Sequence, residues 1–167
     1  DHRDLHSFPT RRSSDLMNSN SDNPKVGKDF QTKVLSIAQK TFNMPFDEEK
    51  VVPVGNPPKE HRFDVVSADG DIIIECKCYT WTNGGNVTSA KMSTLNEAVL
   101  YLRSVNYNAR KILAMKKDVR LRSGESLAEY YCRIYGHLLE DIEVWEVAEE
   151  GIVNIVRKKQ INDSEMS

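Results

Sequence analysis

The chain has 167 residues, 39% of them hydrophobic and 29% charged, which is enough for one globular domain with a hydrophobic core. Its formal net charge of −2 excludes a general attraction to nucleic acid, so any contact with phosphate must come from a local basic surface. No apolar run approaches the roughly 20 residues that cross a bilayer, and we expect no membrane partner. The three cysteines argue against a disulfide framework and favour a reducing, cytoplasmic location.

The first residues of the chain are expected to be foreign to the fold. Residues 6–16 match the translation of a common sequencing adapter at all eleven positions, and Met17 follows directly. We therefore expect 1–16 to be a non-native leader, whose Arg11 and Arg12 do not count as a DNA-binding arm. Residues 17–23 and 160–167 are polar and are predicted to be disordered, which leaves 24–159 as a single domain.

Hydrophobic spacing predicts the order of the helices and strands. Apolar residues recur every three or four positions in the expected helices, whereas the expected strands are alternating or continuously apolar. In chain order the pattern predicts a helix at 23–43, strands at 51–54, 61–67 and 71–79, a helix from 88 or 89, a strand at 111–115, a helix at 126–140, and strands at 142–147 and 152–157. This is the order of an α/β protein with helices on a mixed central sheet.

A predicted hairpin brings charged residues together. Asp69 and Gly70 lie between two strand-like segments and predict a two-residue turn. Counting back from the turn places Asp64 opposite Glu75, with β-carbons roughly 5 Å apart on one face, and alternation places Lys77 on the same face. Facing carboxylates repel unless a positive charge lies between them, and oxygen ligands favour Mg²⁺ or Mn²⁺. The hairpin therefore predicts a metal site beside a lysine that could hold a water or stabilise a phosphate.

A structural interpretation of the same residues is also available. Aspartate, glutamate and lysine on an exposed hairpin often form no more than a surface ion-pair ladder. Here, however, residues 72–74 are three consecutive isoleucines, which is typical of a central strand buried on both faces. Charges at the end of such a strand require a reason, so the residues favour a functional site without excluding the ladder.

These segments resemble a known nuclease superfamily. Residues 61–64, His-Arg-Phe-Asp, followed by the hairpin and Glu75-Cys76-Lys77, resemble the D-x(n)-(D/E)-x-K signature of the PD-(D/E)xK, or restriction-endonuclease-like, proteins. Residues 27–31 are similar to the G-x-x-F-E pattern of that superfamily, and the element order over about 26–115 is similar to its αβββαβ core. The resemblance implies a Mg²⁺- or Mn²⁺-dependent DNA endonuclease, in some members homodimeric. It assigns Asp64 and Glu75 to the metal and Lys77 to the attacking water.

One position departs from the superfamily pattern. The first helix often supplies a glutamate, whereas this chain has Gln31. Its amide oxygen could still bind a metal or position a water, but it adds no negative charge. This departure leaves open an alternative function, a catalytically inactive nucleic-acid-binding or assembly subunit on the same fold. A nuclease acting on RNA is a further alternative.

Other residues could contact DNA. Tyr79 and Trp81 extend the strand of Lys77, and an aromatic ring there could stack on a base, although Trp81 could equally anchor its loop to the core. Alternation predicts that His61 points to the face opposite Asp64. The densest basic stretch, 116–122, could line a DNA groove or form a solvated loop. The predicted contacts are Arg62, Tyr79, Trp81, Lys91, Lys116, Lys117, Arg120 and Arg122.

Overall fold

The computed structural model describes residues 23–158; the predicted leader, residues 17–22 and the predicted tail from 160 lie outside the described residues. Within this range the chain forms three α-helices and six strands of one mixed sheet. The elements are α1 (Pro24–Phe42), β1 (Phe46–Val54), β2 (Lys59–Ser67), β3 (Ile72–Lys77), α2 (Ser89–Arg103), β4 (Arg110–Lys116), α3 (Leu127–Tyr135), β5 (Glu143–Val147) and β6 (Val153–Arg157). None of the helices in 23–158 is long and apolar enough to span a bilayer.

The strands lie side by side in chain order, β1 to β6. β3, β4 and β5 are parallel, and the remaining neighbours are antiparallel. Parallel neighbours need a crossover connection, which α2 provides between β3 and β4, and α3 between β4 and β5. The predicted central position of β3 is confirmed, because Ile73 and Ile74 have no exposed surface.

Helices cover both faces of the sheet. α1 packs Phe30 and Val34 against Ile74 and Trp145 on one face, called here the α1 face. α2 and α3 cover the other, called here the α2 face, where a larger core includes Leu95, Leu102, Leu113 and Tyr131. Burial on both sides explains why the central strands are continuous apolar runs rather than alternating ones.

Two predicted elements, β1 and α3, differ most in length from those observed. β1 begins at Phe46 rather than at 51, because it is an edge strand whose alternate charged residues face solvent. α3 ends at Tyr135 and is followed by a 3-10 turn at Gly136–Leu138, so the predicted helix to 140 is too long. Ile134, in the last turn of α3, is 39% exposed, while Tyr135 packs against Tyr131 with ring centroids 5.3 Å apart.

The β2–β3 hairpin has the predicted register but a different turn. Val65 pairs with Ile74, and Val66 pairs with Ile73. The strands end at Ser67 and begin again at Ile72, so residues 68–71 form the connection instead of two turn residues. The Gly70 amide, at a φ of 86°, donates to the Ser67 carbonyl at 2.9 Å. The register survives because the connection is longer by one residue on each side.

Candidate functional site

Asp64 lies where the alternation of β2 is interrupted. Phe63 packs in the core of the α2 face and Val65 in the core of the α1 face, although regular alternation would place both on one side. On β1 the residue that register places opposite Asp64 is Glu49, whose φ is 53°. Asp64 on β2 and Glu49 on β1 therefore accommodate the change of face between them. The residues on either side of them pair in one unchanged register.

This interruption corrects the predicted direction of His61. The ring stacks on Tyr101 of α2, with centroids 3.6 Å apart, and meets Phe63 edge-on at 4.7 Å. His61 is therefore on the α2 face, on which alternation from Ile73 also places Glu75 and Lys77. The prediction that His61 points away from the face of Glu75 and Lys77 is wrong. It assumed that the side chains of β2 alternate regularly through Asp64, where the alternation is in fact interrupted.

The interruption leaves the Asp64 carboxylate free to bridge to β3. Its Oδ2 accepts a hydrogen bond from the Cys76 amide at 2.7 Å, beyond the last ladder pair of Val65 with Ile74. The Asp64 carbonyl accepts a hydrogen bond from Nε2 of Gln31 at 3.2 Å, and this glutamine is buried. Gln31 thus supports the main chain of Asp64 with its amide nitrogen; a role for its oxygen as a ligand stays a prediction.

Glu75 is a buried carboxylate with one oxygen left without a partner. Only 8% of the residue is exposed, and its Oε1 accepts a hydrogen bond from Nζ of Lys77 at 3.1 Å. Its Oε2 is buried and has no hydrogen-bond partner among the described residues. Burial, and then the negative charge of Asp64, raise the pKa of Glu75 to about 7, although Lys77 and the backbone of Asp64 act in the opposite direction.

The pKa values of Asp64 and Lys77, which interact with Glu75, are also shifted. Burial raises the pKa of Asp64, outweighing the Cys76 amide and the charge of Lys77, which lower it. Burial by itself lowers the pKa of Lys77, but the charges of Glu75 and Asp64 and the hydrogen bond to Glu75 raise it overall. Lys77 therefore carries its positive charge at neutral pH. Groups perturbed in this way by burial and by each other are typical of functional sites.

The donor set fits a hard divalent cation better than a closed structural site. Among residues 23–158 no three His, Cys, Asp or Glu side chains converge, so a four-ligand zinc site is not formed. Mg²⁺ commonly uses one or two carboxylates and completes its shell with water and phosphate oxygens. Asp64 and Glu75 could supply those two, and the unpartnered Oε2 of Glu75 is an acceptor that requires a cation or a proton. Asp64 and Lys77 line an open cleft of about 300 Å³.

The aromatic residues after β3 are held by the protein itself. The Tyr79 hydroxyl donates to Oγ1 of Thr94 at 2.9 Å. Trp81 is 9% exposed, and its main-chain amide and indole Nε1 donate to Oδ2 and to the carbonyl of Asp118, at 2.6 and 3.1 Å. Trp81 therefore anchors its loop to the segment after β4, as the structural alternative predicted. A stacking contact with a base stays a prediction.

The predicted basic contacts do not form one surface. Lys91 is buried, with Nζ 3.4 Å from the Thr80 carbonyl. The Arg120 guanidinium lies 4.5 Å from the centre of the Trp81 ring and 3.0 Å from Glu125. The more exposed members of the set are Arg62, 3.9 Å from Glu49; Lys117, 3.9 Å from Glu146; and Arg122. Lys116 lines a separate cleft on the α1 face.

Sequence reasoning missed a second buried carboxylate, that of Glu146 on β5. The residue is 3% exposed, and its Oε2 is buried without a hydrogen-bond partner among the described residues. Glu146 pairs with Met115, which in turn pairs with Lys77, so the three residues form one row across the sheet. The available signal was a glutamate inside the otherwise apolar segment Val-Trp-Glu-Val of a predicted strand.

Comparisons with protein-family models, with curated proteins and with solved structures found no match. The fold and the site together define an α/β protein with a carboxylate pair and a lysine at the end of a central strand.

Proposed function

We propose that the protein is a Mg²⁺- or Mn²⁺-dependent DNA endonuclease on a restriction-endonuclease-like fold. The observation that carries this proposal is the buried Glu75, with one oxygen on Lys77 and the other without a partner, beside Asp64. A buried carboxylate oxygen without a partner costs about 1–3 kcal/mol, and binding a cation would remove that cost. The order α1-β1-β2-β3-α2-β4, which is similar to the superfamily core, supports the proposed fold.

Each residue then has a defined task. Asp64 and Glu75 would hold the ion, and the Cys76 amide and Gln31 keep Asp64 in place. The bound ion would lower the pKa of a coordinated water and neutralise charge on the phosphate. Lys77 is held at 3.1 Å by Glu75 and remains protonated, so it donates a hydrogen bond to the water or to a phosphate oxygen. It does not act as the base.

The decisive experiment is plasmid cleavage by protein that starts at Met17. Wild type should nick or linearise supercoiled plasmid only with Mg²⁺ or Mn²⁺, and the product shows whether one strand or both are cut. Asp64→Ala and Glu75→Ala should lose cleavage and metal binding in calorimetry, whereas Lys77→Ala should lose turnover and keep the metal. Lys40→Ala and Glu150→Ala, exposed and remote from the site, are matched controls. Equal cleavage by all variants would show that the site is elsewhere.

Substrate preference and assembly complete the proposal. Unlabelled RNA, added as a competitor, separates an enzyme for DNA from one for RNA, because the preferred polymer competes at lower concentration. Linear plasmid as the first product, with activity rising as the square of protein concentration, would indicate a homodimer that cuts both strands. Single nicks at a rate linear in protein concentration would indicate a monomer.

Two contacts favour the second function, an inactive nucleic-acid-binding or assembly subunit. Gln31 takes the place of a charged residue and uses its nitrogen on Asp64, and Lys77 already neutralises one oxygen of Glu75. This function predicts DNA binding without cleavage of plasmid, branched or single-stranded DNA, and no calorimetric signal with Mg²⁺ or Mn²⁺.

A further inference from the structure

His61 is held by rings and not by hydrogen bonds. Its imidazole stacks on Tyr101 with an interplanar angle of 10° and meets Phe63 at 75°. No hydrogen bond joins either ring nitrogen to another residue of 23–158, and the side chain is half-buried. A ring needed only for packing on Tyr101 would not require nitrogen atoms, since phenylalanine would stack as well. The orientation is thus set while both nitrogens remain available.

Charged groups from three elements act on this imidazole. They are Asp64 on β2, Glu97 on α2 and Lys77 on β3. Burial lowers the pKa of His61 and so does Lys77, while Asp64 and Glu97 raise it. Two of these groups belong to the proposed catalytic site, so His61 lies at its border, on the side that α2 covers.

We propose that His61 binds the phosphodiester backbone of the substrate, donating a ring N–H to a phosphate oxygen beside the one at Lys77. The proposal rests on the proposed function in one respect, that the ligand is a polynucleotide. Lys77 and His61 then supply two N–H donors from neighbouring strands. The carboxylates by themselves would repel a phosphate, so a second donor strengthens binding where the net charge of −2 gives no help.

The test measures DNA affinity against pH without metal. A short fluorescein-labelled DNA duplex is titrated in EDTA, followed by anisotropy, from about pH 8 to about pH 5.5, where histidine gains its proton. Wild type should bind more tightly at the lower pH by roughly tenfold more than His61→Phe, which keeps the stacked ring and removes both nitrogens. His137→Phe, at an exposed histidine in the 3-10 turn, should behave as wild type. Glu75 titrates in the same range in all three proteins, so the difference between them reports His61.

A second variant keeps the test decisive if His61→Phe does not fold. His61→Gln donates at every pH and should bind DNA with less dependence on pH than wild type. If His61→Phe or His61→Gln responds to pH as wild type does, or if wild type binds no duplex at any pH, the inference is overturned. Cleavage in Mg²⁺ is measured separately on the same proteins. If the wild type cleaves DNA but the His61 variants bind DNA with the same pH dependence as the wild type, only the proposed role of His61 is wrong. If binding depends on His61 but no cleavage occurs, only the proposed nuclease activity is wrong.

Discussion

At the scale of single residues, Glu75 is a buried carboxylate whose environment differs strongly from water. One carboxylate oxygen holds Lys77 and the other is buried without a partner among the described residues. A site built only for stability would replace such a group by an apolar side chain of similar size, because buried ion pairs rarely repay their desolvation. The proposed role of Glu75 as a metal ligand would account for a carboxylate at this position.

This environment predicts how stability depends on pH. The pKa of Glu75 rises from an ordinary value of 4.5 to about 7 on folding, so between these values the folded state holds a proton that the unfolded state has lost. Stability due to this group is therefore present at low pH and lost as the pH rises from 4.5 to about 7. Relative to Glu75→Gln, the free energy of unfolding of wild type should fall by on the order of 2 kcal/mol across that window.

Urea unfolding at about pH 4.5 and about pH 8 measures this difference, and both proteins should be compared without metal. Adding Mg²⁺ at the higher pH should then stabilise wild type and leave Glu75→Gln nearly unchanged, because an ion that binds only the folded state adds its binding free energy. Parallel pH profiles for the two proteins would contradict the assigned burial of Glu75.

At the scale of elements, the paired irregularity in β1 and β2 places the site residues. Glu49 adopts a left-handed backbone, and Asp64 across from it leaves the regular pleat. Such a conformation costs about 1–2 kcal/mol for residues other than glycine and asparagine. The surface ion pairs of Glu49 with Lys28 and Arg62 return little of this cost. We therefore expect the irregularity to matter for the placement of Asp64 and His61 rather than for the stability of β1.

Substitutions at Glu49 test this interpretation. Glu49→Asn, which tolerates the left-handed backbone, should melt at or above the temperature of wild type. Glu49→Val should lose about 1–2 kcal/mol, because a branched side chain is disfavoured there. Asp47→Val, exposed on the same strand, is the matched control and should change stability by less than about 0.5 kcal/mol. A stable Glu49→Val with full cleavage would show that the irregularity is dispensable.

At the scale of the whole molecule, most basic side chains of residues 23–158 already have an ion-pair or hydrogen-bond partner within the protein. Lys28 and Lys33 pair with glutamates, and Arg120 is packed on Trp81. Lys116 and Arg122 form no ion pair with other residues of 23–158. DNA contact outside the carboxylate site is therefore expected to involve Lys116 and Arg122, which line two different clefts.

The double variant Lys116→Ala, Arg122→Ala should weaken DNA binding for all sequences alike. Each lost phosphate contact should reduce the slope of log affinity against log salt by about 0.9 on duplex DNA. Arg120→Ala should act differently, lowering the melting temperature because Trp81 loses the guanidinium that covers it. Lys40→Ala serves as the exposed control. A salt slope equal to that of wild type in the double variant would place the DNA elsewhere.

Local patterns were sufficient for the order of elements and for the register of the hairpin. Asn23 caps α1 and its side chain accepts from the Lys25 amide, as the short polar residue before Pro24 indicated. The pairs Val65 with Ile74 and Val66 with Ile73 follow from counting residues from the turn. These features are encoded in neighbouring residues, so one chain without relatives predicts them.

The tertiary structure decided on which face of the sheet the site residues lie and how deeply they are buried. Alternation failed at Asp64 because a reversal shared by two strands depends on how both strands pack against α1 and α2, which no periodicity within β2 reveals. For the same reason His61 came to lie on Tyr101, and Trp81 on Asp118, through contacts between distant segments. The pKa of Glu75 depends on burial that residues far along the chain create. The sequence alone thus determined which residues meet across the hairpin, and only the packing of the helices on the sheet determined their charge states and exposure.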